Sequence, residues 1–104
     1  MRAEVSDWLV SLSKLDQKRT THAIDRLATL RHTARMPLSR SLGGGLFELR
    51  FTLGSTARRI TYRFTRDRRI VLLTTFRKQR NNERSEIDRA RQVAASDEKE
   101  ERNG

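Results

Sequence analysis

The stretch LFELRFTLGSTARRITYRFTRDRRIVLLTTF, residues 46–76, decides the fold, because its apolar residues recur at every second position. A period of two sends alternate side chains to opposite faces of a strand. Leu46–Leu53 therefore predicts one strand, with Phe47, Leu49, Phe51 and Leu53 on one face and Glu48, Arg50 and Thr52 on the other. Gly54-Ser55 marks a turn. Arg59–Thr65 predicts a second strand, with Ile60, Tyr62 and Phe64 opposed to Arg59, Thr61 and Arg63. A hairpin turn around Asp67 leads to a third strand, Arg69–Phe76. Its middle is apolar on both faces, which predicts a central position in the sheet.

Upstream the period changes. Val5, Trp8, Leu9 and Leu12 are spaced i, i+3, i+4, i+7, one face of a helix that Ser6 would cap and that ends near Lys14. Trp8 reads as a core anchor on that stripe. A second helix is expected from Asp16, as its N-cap, to about Thr33, with Ile24, Leu27, Ala28 and Ala34 inward and Leu30 near the edge. The two form a helical hairpin. His22 and His32 lie ten positions apart and do not share a face, so both read as surface residues. Met36–Gly45 breaks the pattern, with Pro37 at the helix end and Gly43-Gly44-Gly45 as a tight entry into the first strand. No Lys-Ser/Thr follows those glycines, so they are not a phosphate loop.

Downstream, Ser85 and Asp88 have the spacing of a capping box, and Ile87, Ala90 and Ala94 give a narrow apolar stripe. The expected architecture is α+β: an N-terminal helical hairpin packed on one face of a small antiparallel meander, then a C-terminal helix. Residues 1–96 read as one domain. Residues 97–104 read as a charged, disordered tail, since they hold no apolar side chain.

Charge narrows the function. The 104 residues hold 23 Lys+Arg and 13 Asp+Glu, a net +10. Residues 50–80 carry ten basic side chains and one acid, a net +9. A one-signed field of this kind attracts a polyanion. With no cysteine there is no disulfide scaffold, thiolate nucleophile or thiolate zinc site. No acid or second histidine stands at metal-ligand spacing, and no cofactor is expected. The longest apolar run is Ile70–Leu73, and the N-terminus lacks an apolar signal core, so the expectation is a cytoplasmic protein that does not engage a membrane.

On the polar face of the strands the alternation gathers Glu48, Arg50, Arg59, Thr61 and Arg63, with Arg77, Lys78 and Arg80 closing its edge. Guanidinium groups bind phosphate oxygens bidentately and offer planes on which unpaired bases stack. Cleavage of RNA by its own 2′-OH needs a proton acceptor, stabilisation of the pentavalent phosphorane and a proton donor. Arginine serves the second need strongly and the others poorly. Glu48 is the one carboxylate on this face, with two readings open: a general base, or an ion pair with Arg50 or Arg59. Lys78 is the local acid candidate, because neighbouring cations can depress a lysine amine. Tyr62 has the parity of the core.

Leu46-Phe47-Glu48-Leu49-Arg50 after the glycines, Arg59-Ile60-Thr61-Tyr62, Ile70–Lys78, and Glu86-Ile87-Asp88-Arg89-Ala90 occur in this order. Together they resemble the RelE/HigB-like toxin superfamily, and within it the phage-derived HigB-like group. The resemblance covers about residues 5–92. It implies a RelE-like fold and the toxin of a type II toxin–antitoxin system: a metal-independent, ribosome-dependent endoribonuclease that cleaves mRNA and halts translation. The implied partners are the ribosome, mRNA and a cognate antitoxin, often a helix-turn-helix protein. Carried over by motif, the catalytic set is Glu48, Arg50, Arg59, Arg77 and Lys78, with Arg59 on the scissile phosphate. Arg58, Arg63, Arg66, Arg68, Arg69 and Arg80 remain as contacts to RNA or ribosome. The chain departs from many relatives in having no strand before its helical hairpin, threonines at 74 and 75 where some carry histidine, and no late tyrosine. Two other readings stay open: a ParE-like inhibitor of gyrase on the same fold, and an RNA-binding module without catalysis.

Overall fold

The computed structural model describes residues 1–104. Its element order is α1 (Ala3–Val10), α2 (Lys14–Leu30), a 3-10 turn (Arg31–Thr33), β1 (Ser39–Gly43), β2 (Leu46–Leu53), β3 (Thr56–Phe64), β4 (Ile70–Arg77) and α3 (Glu83–Asn103). The α+β architecture agrees with the sequence: two N-terminal helices, an antiparallel sheet and a C-terminal helix. No helix is long and apolar enough to cross a membrane.

The sheet has four strands in the order β1-β2-β3-β4. β1 is an addition to the three strands expected. Residues 39–42, Ser-Arg-Ser-Leu, carry a weak apolar pattern, and it is the turn through Gly43, Gly44 and Gly45, all at positive φ, that folds them back on β2. The glycines therefore join a hairpin rather than open the first strand. β4 is not central. It lies at the sheet edge, yet both its faces are covered, Leu72 toward α1 and α2 and Leu73 toward α3, which is why its middle is apolar throughout. Leu73 is the extra residue of a bulge between the pairs Tyr62↔Leu72 and Thr61↔Thr74. The outer edge of β4 is closed by α1: the Arg2 N–H donates to Leu72 O, and the Glu4 carboxylate accepts from the Thr75 N–H at 2.8 Å. Arg89 of α3 clamps the same carboxylate.

Two apolar clusters flank the sheet. The larger joins Val5 of α1 and Ala23 and Leu27 of α2 to Leu38, Leu49, Ile60, Tyr62 and Leu72, with Trp8 and Phe51 packed against it. Tyr62 is buried, as its parity predicted, and bonds the Ser39 hydroxyl. The smaller joins Leu46 and Leu73 to Ala90, with Ile87 and Val93 beside them. The helices thus do not share one face, as the sequence reading had it: α3 covers part of the opposite one. Leu46 and Val71 sit among the polar residues of that face and give the α3 stripe something to cover.

Caps and ends also differ. Ser13 rather than Asp16 caps α2, accepting from the Asp16 N–H at 3.2 Å, and Ser6 lies inside α1 and donates to Ala3 O. α3 begins at Glu83, two residues before Ser85. It continues to Asn103, through the segment read as a disordered tail, because Asp97 and Glu101 grip Arg63 on β3.

Candidate nucleic-acid interface

The register of the sheet builds the site. Arg40, Glu48, Thr61 and Thr74 lie opposite one another across all four strands, and Arg50, Arg59 and Phe76 form the next row. Pairing of three consecutive strands therefore lays three arginines around one carboxylate. Glu48 is fully buried, and neither of its oxygens has a hydrogen-bond partner. Arg59 Nε stands 3.8 Å from Glu48 Oε1, and Arg40 Nη1 and Arg50 Nε each stand 3.9 Å from it. These are charge contacts beyond hydrogen-bonding reach.

Burial pushes the Glu48 carboxyl above its ordinary range, and the cations of Arg59, Arg40 and Arg50 only partly oppose it. Arg59 is nearly buried. Its Nη1 donates to the Arg58 carbonyl at 3.0 Å, while its Nε has no partner. Burial and then the Arg50 charge hold Arg59 below the usual arginine value. A buried, underbonded guanidinium beside an underbonded carboxylate is a costly arrangement, and an incoming anion with hydrogen-bond acceptors would relieve it.

The catalytic candidates do not all meet. Glu48, Arg50 and Arg59 are together. Lys78 sits on the same side at the strand end, where its Nζ lies 3.7 Å from Glu83, and Glu83 in turn holds Arg40 at 3.4 Å. Arg77 pairs with Arg58 in the register and so belongs to the opposite face. The Arg77–Lys78 pair is split by strand alternation.

The six expected RNA contacts divide in the same way. Arg58 stacks over the Trp8 ring, 4.3 Å from its centroid, and donates to the Thr75 hydroxyl at 2.8 Å. It buttresses the core side of the sheet. Arg63 is buried beneath α3, paired with Asp97 at 2.6 Å and with Glu101. Each faces a helix and already has partners there. Arg66, Arg68 and Arg69 are exposed in the β3–β4 hairpin, with Arg69 paired to Asp67. That hairpin is about 23 Å from Arg59 at the rise of an extended strand. Arg80 is exposed beside the first turn of α3, near Arg40, Arg84 and Arg91.

Sequence reasoning missed Arg40 and Glu83, because each depends on an element boundary that was misplaced. The available signal for Arg40 was the glycine run between Leu42 and Leu46, which is a hairpin turn flanked by two short strands. No cluster of three or more His, Asp or Glu side chains is placed to hold a metal ion.

A family model described as "Phage derived protein Gp49-like" matches residues 7–95, and the chain belongs to that family, which is related to the toxins of toxin–antitoxin systems. Comparison with curated proteins and with solved structures gives no match.

Proposed function

From this membership of the Gp49-like family, we propose that the protein is the toxin of a type II toxin–antitoxin pair, a RelE/HigB-type endoribonuclease that cleaves mRNA on the ribosome and stops translation. The observation that carries the reading is the convergence of Arg40, Arg50 and Arg59 on a buried carboxylate, with unsatisfied donor and acceptor atoms. The partners under this reading are the ribosome, mRNA and an antitoxin, often a helix-turn-helix protein. The family's relation to toxin–antitoxin toxins supports the antitoxin.

In the proposed reaction the 2′-oxygen attacks phosphorus, the bond to the 5′-oxygen breaks, and a 2′,3′-cyclic phosphate and a 5′-hydroxyl result. Arg59 and Arg50 neutralise the phosphorane as its charge grows. Neither can move a proton at working pH. Glu48, raised by burial, suits the role of acceptor for the 2′-OH proton, but it lies beneath its arginines. Arg40 is the most exposed of the three, and its transfer from Glu48 to an RNA phosphate opens a path to the carboxylate. Until then Glu48 positions the guanidinium groups. Lys78 supplies the proton to the 5′-oxygen.

Induced expression in cells, followed by pulse labelling, tests the reading. Protein synthesis is expected to fail before DNA synthesis, with mRNA cut at ribosome-bound positions. DNA synthesis failing first, with intact mRNA, would replace this account with inhibition of gyrase.

A further inference from the structure

The arginine site does not stop at the sheet face. Arg50 and Arg59 also line a cleft of about 440 Å³ that passes around the edge of β2 to α2, whose Arg19, His22 and Arg26 form its other wall. Arg19 and Arg26 are seven residues apart on α2 and so lie almost in line, with His22 between them. They flank the stripe of Thr20, Ala23 and Leu27 that packs inward. No acidic side chain lines the cleft. Asp16 stands 3.7 Å from Arg19, on the turn before it, while none of the ion pairs involves Arg26.

Backbone adds a second feature. β1 pairs with β2 only as far as Ser39↔Leu49, so Arg50–Leu53 has no strand beside it on that edge. The Arg50 N–H is taken by Leu38 O at 2.7 Å. By strand alternation the Thr52 N–H, which also borders the cleft, points to the same open edge.

We infer that this cleft seats a phosphodiester of single-stranded RNA one or more nucleotides away from the one held by the arginines of the sheet face, with Arg19 and Arg26 as its anchors. The choice of RNA rests on the function proposed above; the cleft itself rests on its one-signed lining and its open strand edge. Guanidinium groups on two walls and an amide on the open strand edge match the oxygens of a phosphodiester. A chain passing from the sheet face around the β2 edge would keep its backbone against cations throughout.

The test is the affinity, by fluorescence anisotropy, of the 104-residue protein for a labelled 2′-O-methyl oligoribonucleotide, which cannot be cleaved. It is measured across a salt series for the wild type, for Arg19→Ala/Arg26→Ala, and for Lys99→Ala/Arg102→Ala, a matched loss of charge on exposed turns of α3. The cleft variant is expected to bind at least tenfold more weakly, with a log–log salt slope shallower by about 1.4 if both arginines meet phosphate. The α3 variant is expected to stay within about twofold of wild type. Equal loss in both variants, no loss in the cleft variant, or no binding by the wild type overturns the inference. Weakened binding in the cleft variant together with mRNA left intact on the ribosome would keep the cleft and remove the endonuclease reading.

Discussion

A carboxylate buried with no hydrogen-bond donor is normally disfavoured, and Glu48 is such a group. Its pKa is raised in the fold, burial being the first cause. A raised carboxyl binds its proton more tightly in the folded state, so folding stability falls as pH rises from the unfolded value through the folded one. Glu48→Gln should therefore gain stability relative to wild type at pH 7 and lose that gain near pH 4, by paired thermal melts. The same variant should lose toxicity, because the guanidinium groups lose the charge that orients them. A neutral-pH melt well below wild type would show that the arginines need the carboxylate for folding more than burial penalises it. Glu4 has the opposite sign. Burial pushes it up, but the Arg89 guanidinium and the Thr75 amide more than offset this and hold it below its ordinary value. Its contribution is complete above the unfolded carboxyl value and lost as pH falls through the folded one, so Glu4→Gln should flatten the acid limb of the stability profile. The sequence made Glu48, Arg50 and Arg59 legible as neighbours, because strand parity alone puts them on one face. It did not make legible that Glu48 lies beneath them, since depth depends on the neighbouring strands and on α3.

At the scale of elements, α3 is the piece whose role differs most from its sequence pattern. Its last two turns are polar and read as solvated, yet Asp97 and Glu101 reach back to Arg63, and Glu101 also accepts from the Arg66 N–H at 2.8 Å. Arg2 joins from the other end of the chain, 3.2 Å from Asp97. Nothing in the sequence spacing pairs these charges, and only the fold brings them within reach. Arg63→Met keeps the apolar stem and removes the charge, leaving two carboxylates facing the sheet. Its melting temperature should fall by roughly 5–10 °C, a drop that corresponds to about one charge-assisted hydrogen bond in a domain of this size. Amide exchange in residues 97–103 should quicken in the same variant. An unchanged melt with unprotected amides in the wild type would return this segment to a frayed tail. β4 teaches the same lesson. Its doubly apolar run was a sound sign of burial on both faces, but burial came from helices on either side and not from a central place in the sheet.

At the scale of the molecule, the +9 of residues 50–80 is not one surface. Arg58 and Arg63 are taken by Trp8 and by the acids of α3, and Arg77 lies across the sheet from Arg59. The remainder falls into the arginine cluster, the distant hairpin of Arg66, Arg68 and Arg69, and the rim at Arg80. On the proposed reading an antitoxin must mask the first of these, so tagged protein purified from its native operon should bring down a small partner with an acidic contact surface. That complex should loosen between 0.1 and 1 M salt, where screening shortens from about 10 Å to about 3 Å. A complex indifferent to salt would point to an apolar interface instead. Arg66→Ala/Arg68→Ala should weaken ribosome association mildly and mainly through its salt dependence, because those residues stand far from the reacting phosphate.

The central claim is that a guanidinium held over a buried carboxylate stabilises the phosphorane in mRNA on the ribosome, and Arg59 carries it. The most direct measurement is cleavage of a defined mRNA in a purified translation system, comparing wild type with Arg59→Ala, with thermal unfolding to confirm that both are folded. The account predicts that the wild type cuts only when ribosomes are present and that the variant cuts about 10²–10³ more slowly, the usual worth of a donor placed on a developing oxyanion. A folded Arg59→Ala protein that cuts at the wild-type rate, or a wild type that leaves ribosome-bound mRNA intact, would contradict it.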